Sequence, residues 1–119
     1  MSEARPLQWI GSSKRDLLTF PDDVRQTMGF ALFLAQTGGK HPNAKALKGF
    51  GGRGVLEVIE RHDGDTYRSV YTVRLEKAVY VLHCFQKKAK RGIATPKEDM
   101  DLIRKRLADA VEADRGEER

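Results

Sequence analysis

Apolar and polar positions change period along this chain, and each change marks an element. Leu7, Trp9 and Gly11 alternate with Gln8 and Ile10, which predicts a short first strand. The polar stretch from Ser12 to Asp16 predicts a helical turn. Pro21, Asp22 and Asp23 form a helix opening, because proline suits the first turn and the acids favour the positive end of the dipole. Val24, Met28, Ala31, Leu32 and Ala35 then recur at helical spacing until Gly38 and Gly39. Phe30, Phe33 and Leu34 widen the apolar face, so a well-buried helix is expected. Residues 38–46 read as loop.

Three strands follow: Val55 to Arg61, Tyr67 to Leu75, and Ala78 to Phe85. His62-Asp63-Gly64-Asp65 joins the first two as a hairpin, and Glu76-Lys77 reverses the chain again, giving an antiparallel meander. Thr95, Pro96 and Glu98 predict a capping box, with Met100, Ile103, Leu107, Ala110 and Val111 on one helical face. Beyond Ala113 the sequence is a charged tail. The expectation is one α+β domain over 1–119: a small twisted antiparallel sheet of about four strands, N-terminal helices on one face, and a C-terminal helix beside it.

Composition narrows the partners. The 119 residues carry a net charge of +5 with 39% hydrophobic content, enough for one core and a bias towards anionic partners. No apolar run approaches the length of a membrane span, and Met1 to Pro6 does not resemble a signal peptide. Cys84 is the only cysteine, so no intrachain disulfide is possible and a cytoplasmic location is expected.

Several motifs carry less than they promise. Gly49-Phe50-Gly51-Gly52-Arg53-Gly54 matches the dinucleotide pattern literally, but it leads into the β-branched run from Val55 to Ile59 rather than into a helix. His41, His62 and His83 lack paired metal spacing, and no metal or cofactor is expected. His83 and Cys84 are neighbours on a strand, hence on opposite faces, and cannot pair as nucleophile and base. Asp22, Asp23, Asp99 and Asp101 lie at helix beginnings, where capping and dipole effects account for them.

The connection from Phe85 to the last helix is different. It holds Lys87, Lys88, Lys90 and Arg91 with no acid among them, a concentration of charge that suits a polyanion. A solvated turn has the same composition. By strand parity Arg68, Val70, Thr72 and Arg74 share one face, and the more apolar face of Ser69, Tyr71, Val73 and Leu75 is expected to pack on the helices. Arg68 then lies on an open face and, through the meander, close to Phe85, Lys87 and Lys88. Cations beside an aromatic could hold a phosphate and stack a base. An ordinary exposed arginine among surface lysines fits the same count.

Taken in order, Ala46-Leu47-Lys48-Gly49-Phe50, Gly54 to Val58, Tyr67 to Val73 and Val81 to Lys90 resemble the phage-related Gp49-like branch of the RelE/ParE toxin superfamily, which includes HigB-type toxins. The resemblance spans roughly residues 5 to 112. It implies a RelE-like fold and the toxin of a type II toxin–antitoxin module. The usual activity of such toxins is cleavage of mRNA on the translating ribosome, and the usual partner is a helix-turn-helix antitoxin.

Carried over by position, Arg68 matches the strand arginine that stabilises the scissile phosphate, and Lys87 and Lys88 match the basic pair after the last strand. The resemblance thus implies catalytic roles for Arg68, Lys87, Lys88 and Lys90, and RNA contacts from Lys48, Arg53, Arg74, Phe85 and Arg91. The chain departs from RelE where Glu57, Ile59 and Arg61 replace a lysine pair, and where the last helix lacks a tyrosine. Lys90, His83 or another lysine could supply the general base, while Tyr71 lies on the wrong face. The expected chemistry is metal-independent attack of a ribose 2′-hydroxyl on the adjacent phosphorus. Two alternatives remain: a ParE-like topoisomerase inhibitor without nuclease activity, and an inactive phage remnant that binds only its antitoxin.

Overall fold

The computed structural model describes residues 4–52, 54–88 (Lys88 by its backbone alone) and 95–116. Strands β1 (Leu7–Trp9), β2 (Ala44–Ala46), β3 (Val55–His62), β4 (Asp65–Thr72) and β5 (Val79–Lys88) form one sheet in the order β1-β5-β4-β3-β2. Helices α1 (Ser13–Leu17) and α2 (Asp22–Gln36) follow β1, and α3 (Lys97–Asp114) closes the chain.

The expected meander is present as β3-β4-β5, with a tight first turn. Asp63 and Gly64 both take positive φ, 53° and 82°, the conformation that a two-residue hairpin turn needs. The sheet has five strands rather than about four, and it is mixed. β1 runs parallel to β5 through Leu7, Gln8 and Trp9, while β2 pairs antiparallel with β3 inside the stretch expected to be loop. β1 is the short first strand expected, so β2 is the added one, and its three residues are too short for a strong alternation signal.

Both faces of the sheet are covered. Leu17, Phe20, Val24, Met28 and Leu32 pack on Val58, Tyr67, Tyr71, Val79 and Val81. The opposite face buries Ile103, Leu107 and Ala110 of α3 against Val70, Tyr80 and Leu82. α3 therefore lies across the face that parity suggested was open. Parity placed Arg68 and Val70 together correctly, but Val70 supplies an apolar floor on which a second helix packs.

Two local expectations are corrected. Phe30 and Phe33 are 53% and 54% exposed, because α2 turns only the Val24-Met28-Ala31-Leu32-Ala35 stripe towards the sheet. The capping box does not form: Pro96 is the residue before α3 and makes no side-chain cap bond, and the Thr95 hydroxyl is engaged elsewhere.

A bulge on β5 positions the site. Val70 pairs with His83 and Tyr71 with Val81, which leaves Leu82 as an extra residue. Leu82 and His83, adjacent in sequence, consequently both face α3. Without that extra residue, His83 and Phe85 would point towards α1 and α2.

Candidate functional site

Four side chains from the sheet and two from the start of α3 meet on the α3 face. In β3 the run Val55-Leu56-Glu57-Val58-Ile59 places one charged residue among apolar neighbours. A carboxylate in such a strand is costly unless it is paired. Glu57 is 2% exposed, and its Oε2 accepts a 2.7 Å hydrogen bond from Nη1 of Arg68, itself 3% exposed. The same Nη1 donates to Thr95 Oγ1 at 3.3 Å, and the Thr95 hydroxyl lies 3.5 Å from Glu57 Oε2. Arg68 is therefore enclosed between sheet and helix rather than displayed on an open face.

The second cluster is a stacked imidazole. Arg68 pairs in register with Phe85, and His83 is its diagonal neighbour, a separation of about 7–8 Å in a regular sheet. The His83 and Phe85 rings stack with centroids 4.5 Å apart and planes at 17°. His83 Nε2 meets Asp99 Oδ1 at 2.7 Å. Asp99 lies in the first turn of α3. An ionised Asp99 accepts from Nε2–H, so the lone pair of a neutral His83 is on Nδ1. That Nδ1 is buried and, among the described residues, has no hydrogen-bond partner. A buried, oriented basic nitrogen beside a guanidinium is an arrangement suited to proton transfer near an anion.

The other residues singled out in the sequence divide by position. Lys87 is half-buried and pairs with Thr66, two residues beyond the Arg68–Phe85 pair, while Lys88 pairs with Asp65 through its backbone. Lys90, Arg91 and Arg53 lie outside the described residues. Lys48 is exposed between β2 and β3. Arg74 is exposed beyond the end of β4, six residues and thus about 20 Å along the chain from Arg68. The open face expected for Arg68 is not what forms, since Arg68 is enclosed with Glu57; the patch expected to join it to Lys88, Lys90 and Arg91 falls on side chains outside the described residues.

Glu57, Thr95 and Asp99 were not singled out by sequence. A signal existed only for Glu57, the charge in an apolar strand. Thr95 and Asp99 looked accounted for by capping and the dipole.

Cys84 and Tyr71 belong to the opposite face. Burial pushes the Cys84 thiol up to about 12, a 3.4 Å contact with Ser69 Oγ notwithstanding, so it is inert as a nucleophile. Burial likewise pushes Tyr71 up to about 12. Among the described residues no group of three His, Cys, Asp or Glu could hold a metal ion, and no helix is long and apolar enough to cross a membrane.

The family model described as Phage derived protein Gp49-like (DUF891) matches residues 15–108. The chain belongs to this Gp49-like family. It is the RelE/HigB-type toxin family, and membership suggests the toxin of a toxin–antitoxin module with an antitoxin as partner. No curated protein and no solved structure matches the chain. The matched Gp49-like region contains Glu57, Arg68, His83, Thr95 and Asp99, so both clusters are part of the family domain.

Proposed function

We propose that this Gp49-like protein is a type II toxin that cleaves mRNA on the ribosome and is neutralised by a helix-turn-helix antitoxin. The observation that supports this reading is the convergence of Arg68 and the Asp99-oriented His83 on one sheet face. The cations of residues 87–91 follow directly in the chain. A scissile phosphate exchanges with the Glu57 carboxylate on Arg68, one anion replacing another. His83 Nδ1 takes the proton of the ribose 2′-hydroxyl as its oxygen attacks the adjacent phosphorus. The phosphorus–5′-oxygen bond breaks, and water protonates the leaving oxygen. Arg68 and Lys87 lie where they can offset the charge that develops on the phosphoryl oxygens.

One observation favours a second reading. Glu57 and Thr95 already engage Arg68, as would suit a structural arginine in a ParE-like topoisomerase inhibitor. Brief induction followed by mapping of transcript ends separates the two. Codon-phased breaks in mRNA are expected; DNA breaks with intact mRNA would reject the ribonuclease.

A further inference from the structure

The glycine-rich stretch that does not open a dinucleotide site has another neighbour, the flank of α3. Met100, Arg104, Ala108, Val111 and Arg115 succeed one another at intervals of four, four, three and four residues, and so form one stripe. At its first end, a Cβ added to Gly49 would lie 3.1 Å from Met100 Cε and 3.6 Å from Arg104 Nη2. The Arg104 guanidinium lies 5.6 Å from the Phe50 ring centre. At its far end, Val111, Asp114 and Arg115 join Arg74, Leu75, Glu76 and Lys77 around a cavity of about 490 Å³. Between the two ends Arg74 lies across Gly54, at φ 74°, where any Cβ would overlap the Arg74 side chain.

Lys48, Arg104, Arg74, Lys77 and Arg115 are all exposed along this flank. Of its acids, Asp114 is held by the backbone N–H groups of Glu76 and Lys77 at 2.9 and 2.7 Å and by the Tyr80 hydroxyl at 3.1 Å. Asp101 is paired with Lys97 and Arg104, leaving Glu76 as the exposed acid nearest the cavity. The surface is thus cationic over about 16 Å of helix, from Arg104 to Arg115.

We propose that this flank is a second contact surface for single-stranded RNA, a track that holds the phosphate backbone away from the reacting bond. The nature of the ligand rests on the ribonuclease reading. Two features favour a phosphate backbone over a protein partner. Gly51 and Gly52, where an added Cβ would meet nothing within 4 Å, let a second chain approach closely, and protein interfaces need apolar or aromatic anchors. Among the described residues the exposed large hydrophobics, Leu18, Phe30 and Phe33, lie at the end of α1 and on α2 instead. The track acts on affinity, not on the chemical step.

The test is fluorescence anisotropy with a labelled, uncleavable 2′-O-methyl oligonucleotide of roughly a dozen nucleotides. Two variants are used: Lys77→Ala combined with Arg115→Ala, and Ala108→Glu, which introduces an acid mid-stripe at an exposed helical position. Both are expected to weaken binding to unrelated sequences alike, and to leave cleavage at saturating RNA unchanged. In the double variant the slope of log affinity against log salt should fall by about 0.7 per cation removed. Unchanged affinity and slope in both variants, with a wild-type protein that binds and cleaves, would overturn the track alone. A wild-type protein that neither binds nor cleaves RNA would instead reject the ribonuclease reading and the ligand named here. Equal binding of a poly-glutamate peptide, lost in the same variants, would assign the surface to an acidic protein segment.

Discussion

Arg68 Nη1 lies 2.7 Å from Glu57 Oε2, with both side chains almost fully buried between the sheet and α3. A charge pair in such a place is retained because removing one partner strands the other, not because pairing adds much net stability. The contact also sets the form of the site, since an anion that approaches Nη1 meets a carboxylate already there.

Arg68→Ala should therefore destabilise the fold by about 3–5 kcal/mol, the typical result of leaving one buried charge unpaired. Arg68→Met combined with Glu57→Leu should recover most of that loss. Urea denaturation of the three proteins checks it. A single variant as stable as the parent would mean that water reaches Glu57. For the same reason, lost toxicity in Arg68→Ala reports on chemistry only beside a measured unfolding curve.

His83→Asn should slow cleavage by roughly 10²–10⁴-fold, the usual contribution of a positioned acid–base group. Asp99→Asn, which leaves the imidazole in place but no longer selects its tautomer, should also slow the reaction. Single-turnover cleavage on programmed ribosomes, with circular dichroism to verify folding, measures both. A His83→Asn protein that cleaves at the parental rate would remove His83 from the chemistry.

Tyr71 is fully buried, and among the described residues its hydroxyl has no hydrogen-bond partner. Tyr71→Phe removes a desolvated polar group without opening a cavity, so stability should stay level or rise by up to about 1 kcal/mol. Activity should not change, because Tyr71 faces α1 and α2. A thermal shift series resolves this, and a marked loss of stability would reveal a partner for the hydroxyl.

Asp114 couples the end of α3 to the turn before β5. Partial burial raises its pKa, but hydrogen bonds from the Lys77 and Glu76 amides and the Tyr80 hydroxyl, with the nearby Lys77 charge, outweigh burial and leave it below the ordinary value. A depressed folded pKa stabilises the protein above the unfolded value of about 3.9, and the contribution is lost as the pH falls through the folded pKa. Asp114→Asn should thus lower stability at neutral pH and flatten the acid limb of a plot of melting temperature against pH. Parallel limbs for parent and variant would mean that Asp114 does not report on folding.

Much of this arrangement was legible in advance. The period-2 runs of β3, β4 and β5, the Asp63-Gly64 turn and the helical stripes of α2 and α3 are local patterns, and each appears where the pattern predicts it. The parity of β4 was equally readable, and it correctly grouped Arg68 with Val70 and away from Tyr71. β1 was legible as a strand but its parallel pairing with β5 was not, and β2 was missed, because so short a strand is defined by the partner it bonds rather than by its own sequence.

By itself the sequence determined the family resemblance, the α+β class, the meander and the concentration of cations over residues 87–91, all properties of neighbouring residues or of composition. Only the tertiary structure decided which face α3 covers, and hence that Arg68 is enclosed with Glu57 instead of exposed. It alone decided that one extra residue at Leu82 turns His83 towards Asp99. Whether a strand face is open depends on a helix distant in sequence, and a bulge is set by the register between two strands. Neither relation leaves a period in the chain.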